Sequence, residues 1–336
     1  MTCFVRIVPA VLLLASGLAA PAHAQADFYK GKTVHVVVGF TPAGGYDINA
    51  RAVARHIGRH IPGNPNVIVQ NAPGAGSLSA VRNLDATLAR DGTAVVVFNP
   101  GLVTQSIVQP ETVKIDFRTI AWLGVVTADF RVCYGFGPKG VKSWDDMMSR
   151  KEFILGSTAR GAGNYINGAT LRHVFNAPVR QILGFPGSAE QRIAIERGEL
   201  DGDCGSFSSI PADWVREKKM HPFVRFTEKI GPGVPESAAY INTFAKTEDQ
   251  LALLSVLNSA DEIGRPFIMS RQVPAERLAI MRKAFNDTMK DAAFIADMDK
   301  LGHPVIPLPG EEAEKIVAKM SGASPEVLKR ARTIYE

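Results

Sequence analysis

The sequence predicts an α/β protein built as two doubly wound lobes. Short β-branched runs alternate with longer helical stripes, the alternation stops and restarts near Arg131, and small residues gather where each strand gives way to its helix. The alternation is the grammar of βαβ units, which form a parallel sheet with helices on its faces. Its restart argues for a second lobe in place of one larger sheet. The small residues bear on function, because ligands of open α/β sheets bind outside the carboxyl ends of the strands.

The elements follow in order. A buried strand at 33–39 leads to a helix carrying Tyr46, Ala50, Val53, Ile57 and Ile61 on one stripe, with Arg51, Arg55 and Arg59 as a solvated ridge. A strand at 66–70 precedes a helix bearing Val81, Leu84 and Leu88, and a third strand occupies 94–98. In the second series, strands are expected at 131–136, 153–156, 179–184 and 199–204, with helices at 144–148, 164–175 and 188–197. The loop 231–235 breaks the pattern. A helix then follows Pro274 with Leu278, Met281, Phe285 and Met289 as its stripe, and further helices cover 311–320 and 325–335.

The N-terminus bears on the compartment. Arg6 gives a short basic start, 7–20 is an apolar run, and Ala22-His23-Ala24 supplies a small-x-small cleavage pattern. The run falls short of the roughly 20 residues that span a bilayer as a helix. Residues 1–24 therefore read as a cleaved signal peptide and the mature protein as periplasmic; the flanks disfavour the rival reading, a buried N-terminal helix. Cys3 precedes the run, so no lipid-anchor cysteine follows it. Cys133 and Cys204 fit either a disulfide in an oxidising compartment or two buried thiols. The formal charge of +5 is dispersed, which tells against nucleic acid as a partner and mildly favours an anionic ligand.

The loops carry the chemistry. Strand one runs into Thr41-Pro42-Ala43-Gly44-Gly45-Tyr46-Asp47, strand two into Asn71-Ala72-Pro73-Gly74-Ala75-Gly76-Ser77, and strand three into Phe98-Asn99-Pro100-Gly101. Helix starts leave backbone N–H groups unpaired at the positive end of the dipole, and glycine lets a ligand come close to them. Adjacent starts can thus hold a carboxylate. Tight turns and helix caps are the plain alternative for any one loop. The second series repeats the device, with Ser157, Thr158, Arg160 and Asn164 in one loop, Phe185, Gly187 and Ser188 in another, and Asp203 opening a third. Arg160 can pair with a carboxylate or point to solvent. Asp47 either orients water or an amino group at the ligand, or simply favours the positive helix end. Tyr46, Phe98, Tyr165, Phe185 and Phe207 fit an aromatic-acid pocket or the core.

Phe40 to Asp47 followed by Arg51, and Asn71 to Ser77, resemble the paired signatures of the tripartite tricarboxylate transporter receptors, the Bug family. Asp91-Gly92-Thr93, Gly184 to Ser188 and Arg197 to Gly202 are similar too, while the last hundred residues match loosely. The resemblance implies a type II periplasmic binding fold, two lobes with a hinge of crossing strands. On that reading 25–126 with about 227–336 form lobe 1 and 127–226 form lobe 2, the placement of the C-terminal helices being open. It implies capture of a di- or tricarboxylate or an aromatic acid by lobe closure, and delivery to the membrane permease subunits of a tripartite transporter. Gly44, Gly45, Asp47, Gly74, Ala75 and Gly76 would form the fixed end of the site, and Ser157, Thr158, Gly187 and Ser188 the variable end. Ala43 stands where many members carry proline or glycine, and the Arg160 loop is longer than the family's usual turn.

Catalysis is not expected. His56 and His60 have zinc-pair spacing, yet no glutamate stands between them and no third ligand is suggested. Gly205-Ser206-Phe207-Ser208 is not a hydrolase elbow, and nucleotide-binding glycine spacings are missing. No cofactor or metal is expected, and the protein should be a monomer. A sensor that presents its closed form to a signalling partner would share the mechanism.

Overall fold

The structure, a computed structural model, describes residues 28–335; the expected signal peptide lies outside the described residues. The chain begins with β1 (Thr33–Val38), α1 (Gly45–Ile57), β2 (Asn66–Asn71), α2 (Leu78–Ala86), β3 (Ala94–Val97), α3 (Gly101–Val108), α4 (Pro110–Val113) and β4 (Ala121–Val125). It continues with β5 (Val132–Phe136), α5 (Trp144–Ser149), β6 (Phe153–Ser157), α6 (Gly163–Phe175), β7 (Val179–Leu183), α7 (Ser188–Glu196) and β8 (Gly202–Asp203). Next come α8 (Ala212–Arg216), β9 (Met220–Arg225), β10 (Ala239–Tyr240) and α9 (Glu248–Asn258). The last elements are β11 (Pro266–Met269), α10 (Ala275–Thr288), α11 (Ala292–Lys300), β12 (Leu308–Pro309), α12 (Gly310–Met320) and α13 (Pro325–Tyr335).

These strands form two six-stranded sheets, in the orders β12-β4-β11-β3-β1-β2 and β10-β9-β5-β8-β6-β7. β1 lies parallel to β2 and β3, as three successive βα units require. β11 returns antiparallel between β3 and β4, so the sheet is mixed. The second sheet pairs β6 parallel to β7 and β5 antiparallel to β8 and β9. Its strands extend from Val132 to Tyr240.

Strand β1 shows why the first sheet is covered twice. Val34, Val36 and Val38 pack with Val53 and Ile57 of α1 and with Met281 and Phe285 of α10. Val37 faces the other way, with Leu84 of α2, Leu102 of α3 and Val317 of α12. A strand buried on both faces reads as an unbroken apolar run, and TVHVVV nearly is one. Helix α13 docks through Ala331, Ile334 and Tyr335 against Val108, Ile166 and Leu257, so it touches helices beside both sheets. Leu88, expected on the second helix, falls beyond its end at Ala86 yet still packs on the core.

Two stretches cross between the sheets. The Asp129 N–H donates to Asp261 O at 2.8 Å, the Arg265 N–H to Thr127 O at 3.0 Å and the Val126 N–H to Arg265 O at 3.1 Å. The crossing strands are thus tied to each other by backbone hydrogen bonds.

Cys133 of β5 and Cys204 beside β8 form a disulfide buried in the second core. It closes a separation of 71 residues. Constraint of the unfolded chain makes such a bond worth about 2–4 kcal/mol. The Cys133→Ser, Cys204→Ser variant should lose about that much stability in urea denaturation; an unchanged midpoint would contradict the assignment.

Candidate functional site

Buried polar groups gather in a cleft lined from both sheets. This cleft of about 540 Å³ is lined from lobe 1 by Phe40, Gly44, Gly45, Tyr46 and Asn99 and from the crossing strands by Asp129, Arg131 and Arg265. Lobe 2 contributes Thr158, Ala162, Gly163, Asn164, Ser188, Gln191, Asp203, Gly205, Ser206 and Ser209.

The helix starts expected at the ligand are present. The first residues of α1, α6 and α7 all reach the cleft, one from lobe 1 and two from lobe 2. Their dipoles place partial positive charge in the same space. Two glycines allow a closer approach than any other residue. A Cβ at Gly163 would overlap the Arg131 guanidinium, and one at Gly45 would overlap the Ser209 hydroxyl.

The floor of the cleft is ionic. Arg131 bonds Asp129 at 2.6 Å and Asp261 at 2.7 Å, and Arg265 reaches Asp129 at 3.3 Å. All four side chains are buried. Arg265 also donates to Ser206 Oγ at 2.6 Å and Ser209 Oγ at 3.1 Å, and its guanidinium covers the Tyr46 ring at 4.4 Å. Burial opposes ionisation of Asp129, but Arg131 and Arg265 outweigh it and hold the carboxyl below its ordinary range. Asp261 fares differently: burial and the nearby charge of Asp129 push it up to about 7 against Arg131. Asp203 is pushed up to about 6, by burial. Two permanent cations therefore meet one firmly ionised carboxylate and two whose charge depends on pH. The floor becomes more positive as pH falls.

Several buried polar atoms of the lining have no hydrogen-bond partner among the described residues, one of them an acceptor, Asp129 Oδ1. Arg265 Nε, Gln191 Nε2 and Thr158 Oγ1 can all donate. Leaving a buried donor unpaired costs about 1–3 kcal/mol, so three in one cleft suit a ligand rich in acceptors.

Of the residues singled out in the sequence, Gly44, Gly45, Tyr46, Asn99, Thr158, Asn164, Ser188 and Asp203 line the cleft. Others support it from behind. The Asp47 carboxylate accepts from the Ala43 N–H at 2.9 Å, Arg51 Nε at 2.9 Å and Asn71 Nδ2 at 2.8 Å. Burial works against that charge, yet these bonds hold Asp47 below its ordinary range. Asp47 and Asn71 thus brace the first loop. The Ser157 hydroxyl accepts from Gln181, and Phe185 packs beside Gly156. Arg160 turns away from the cleft and donates to Tyr165 Oη at 3.1 Å and to Tyr335 O at 3.3 Å.

A third group forms the seam between the lobes. Thr41 Oγ1 donates to Glu190 at 3.0 Å, Arg192 to Ala43 O at 3.0 Å and Asn99 Nδ2 to Gly161 O at 2.6 Å. Gly187 abuts Thr41, and Gly76 abuts Ala159. Ala75, Gly76 and Ser77 all have left-handed φ values, of 47°, 62° and 76°, and Gly74 precedes them. For the two non-glycine residues that conformation costs about 1–2 kcal/mol each. Ser77 offsets part of it by accepting from the Asn99 N–H at 2.9 Å. The glycine string of the second loop therefore meets lobe 2 and does not line the cleft.

Sequence reasoning missed Arg131, Arg265, Asp129 and Gln191 as site residues, while Ser206 and Ser209 belong to the loop that Asp203 opens. A signal existed for the first three, since each is a charge set in an apolar stretch beside a strand, where burial demands a partner. Metal-pair spacing has another explanation: His56 bonds Asp297 and His60 bonds Asp291, tying α1 to α11. Arg55 and Arg59 of the expected solvated ridge join the same carboxylates. No cluster able to hold a metal occurs among the described residues.

No family model matches the chain. A stretch of 79 residues is 43% identical to the "UPF0065 protein in gbd 5'region" of Cupriavidus necator, spanning 23% of this chain and 23% of that relative's length. Among solved structures, the periplasmic binding protein BugD shares the fold with a TM-score of 0.74 at 16% identity, over 91% of this chain and 98% of that one. MatC from Rhodopseudomonas palustris, with bound malate, gives 0.71 at 18% identity over 91% and 99%. The chain has the two-lobed fold of a periplasmic binding protein. Within that class the likeness to the Bug receptors, carried in the sequence by two loops, holds across both sheets.

Removing one partner of a buried ion network strands the other charges, at about 3–5 kcal/mol. Asp129→Ala should lose that much in urea denaturation. A loss of about 1 kcal/mol or less, the worth of an exposed pair, would show that the floor is not built on this carboxylate.

Proposed function

We propose that the chain is a periplasmic solute-binding receptor, which captures a small organic carboxylate between its lobes and passes it to the permease subunits of a membrane transporter without turning it over. The observation that carries the reading is the cleft in which the guanidiniums of Arg131 and Arg265 join three helix starts around unpaired donors. A carboxylate supplies acceptors for donors, and negative charge where guanidinium groups and dipoles favour it. The malate bound by MatC, a neighbour in fold, is a ligand of that chemistry.

A di- or tricarboxylate fits better than an aromatic acid. The lining is mostly glycine, serine, asparagine and arginine. Its tyrosine is already engaged, stacked on Phe40 at 4.7 Å and covered by Arg265. The seam supports a hinged mechanism: a ligand that touches both lobes favours the closed arrangement by its differential affinity for it. Nothing in this reading needs a reacting atom, a nucleophile or a cofactor.

A thermal-shift screen of succinate, malate, citrate and related acids should raise the melting temperature with at least one of them. Gln191→Leu, which removes a lining donor, should weaken that acid about tenfold or more with little change in the free protein. No shift with any acid would defeat the proposal, and so would consumption of the best ligand at stoichiometric protein.

Asp203 gives the binding a pH dependence. Its folded pKa, about 6, exceeds the ordinary value, so the folded state holds an extra proton between roughly pH 4 and 6. The stability this proton provides is greatest at the acid end of that window and is lost as pH rises through it. Ionised Asp203 also repels an incoming carboxylate. Affinity should therefore rise roughly threefold to tenfold from about pH 7.5 to about pH 5.5. Asp203→Asn should keep only the smaller rise due to Asp261, which stands behind the same floor and is pushed up to about 7. A wild-type profile no steeper than the variant's would remove Asp203 from the site.

A further inference from the structure

A second interlobe groove, of about 1230 Å³, lies on the other side of Ser209, which lines both spaces. Its walls carry larger aliphatic and aromatic side chains than those of the cleft. Ile48 from α1, Phe130 from the crossing strand, Phe207 and Ile210 from lobe 2 and Leu301 beyond α11 give it an apolar surface. Val215 and Leu301 remain 37% and 42% exposed there, which leaves them free to be covered.

The charges point one way. Arg192 and Arg216 line the groove, and among the described residues no carboxylate side chain does, although Arg216 pairs with Glu217 beside it at 3.3 Å. His303, its remaining titratable group, is held neutral because burial lowers it to about 4. Arg192 is partly buried, and its hydrogen bonds run to oxygens without charge: Ser209 O at 2.9 Å, Ala43 O at 3.0 Å and Ser188 Oγ at 3.4 Å. Burial lowers its pKa, with Tyr134, Asp203, Glu190 and Glu196 opposing that from farther off. A guanidinium in partly apolar surroundings with only neutral partners gains from an anion.

We infer that this groove is a second binding site, for an organic anion with an apolar body, such as a medium-chain fatty acid. The head group would lie toward Arg192 and the chain along Phe130, Phe207 and Leu301. Because the walls belong to both lobes, such a ligand would bridge them independently of what the cleft holds. The inference goes beyond the proposed receptor function and does not rest on it.

Octanoate is the probe, titrated calorimetrically into the whole mature protein with and without saturating small acid, with 1-octanol as the uncharged control. We expect one octanoate per chain in both conditions and at least tenfold weaker binding of 1-octanol. Leu301→Glu should weaken octanoate at least tenfold while leaving the small-acid thermal shift intact, and Val215→Glu does the same should the first variant fold poorly. Gln191→Leu, which alters the cleft, should leave octanoate unchanged. Octanoate that fails to bind, competes with the small acid, disappears in Gln191→Leu or survives both groove variants would overturn the inference. So would a dimer in sedimentation that Leu301→Glu dissolves, since it would assign the groove to a second copy. Octanoate bound at the groove while no small acid binds anywhere would defeat the receptor proposal alone.

Discussion

Asp129, held between Arg131 and Arg265 where the two sheets meet, is the contact on which the rest of the molecule depends. Neither guanidinium can shed its proton, and neither can be buried without a partner. One carboxylate anchors both, while Asp261 and the serines 206 and 209 take up further donors and leave Arg265 Nε open. The network sits on the backbone bonds that tie the crossing strands together, so the same residues that join the lobes also charge the space between them. A hydrophobic replacement of similar volume would often be no less stable. What it could not supply is positive charge at a cleft floor.

The loops divide this work with the crossing strands. Helix starts at Gly45, Gly163 and Ser188 face the charged floor and add their dipoles to it. The glycine-rich loop ending at Ser77 meets lobe 2 at the seam, and Asp47 with Asn71 locks the first loop behind. The small residues thus serve two ends: close approach of side chains at Gly45 and Gly163, and close approach of lobe to lobe at Gly76 and Gly187.

Much of the fold was legible because burial on two faces writes itself into a strand as a continuous apolar run, as in β1 and β3. The return of β11 between β3 and β4 was not, since a four-residue strand far along the chain carries no local sign of its neighbours. Legibility of the site followed the same divide. Residues near helix starts, such as Gly44, Tyr46 and Ser188, were found through local backbone physics. Arg131 and Arg265 come from stretches over a hundred residues apart, and only the tertiary fold brings them to one carboxylate. Arg160 was the more conspicuous arginine, on a glycine-rich loop, yet its partners are Tyr165 and the C-terminal helix. The disulfide was open for a related reason: spacing cannot supply the antiparallel pairing of β5 with β8 that sets the two cysteines side by side.

The central claim is that charge at the cleft floor, and not shape alone, selects the ligand. Calorimetric titration of the best-binding dicarboxylate against its diamide, succinate against succinamide for instance, isolates that factor because the two share size and outline. The account predicts measurable binding of the acid and none of the amide at the same concentration. Equal affinity for the two would mean that the buried arginines hold the protein together and do nothing for what it carries.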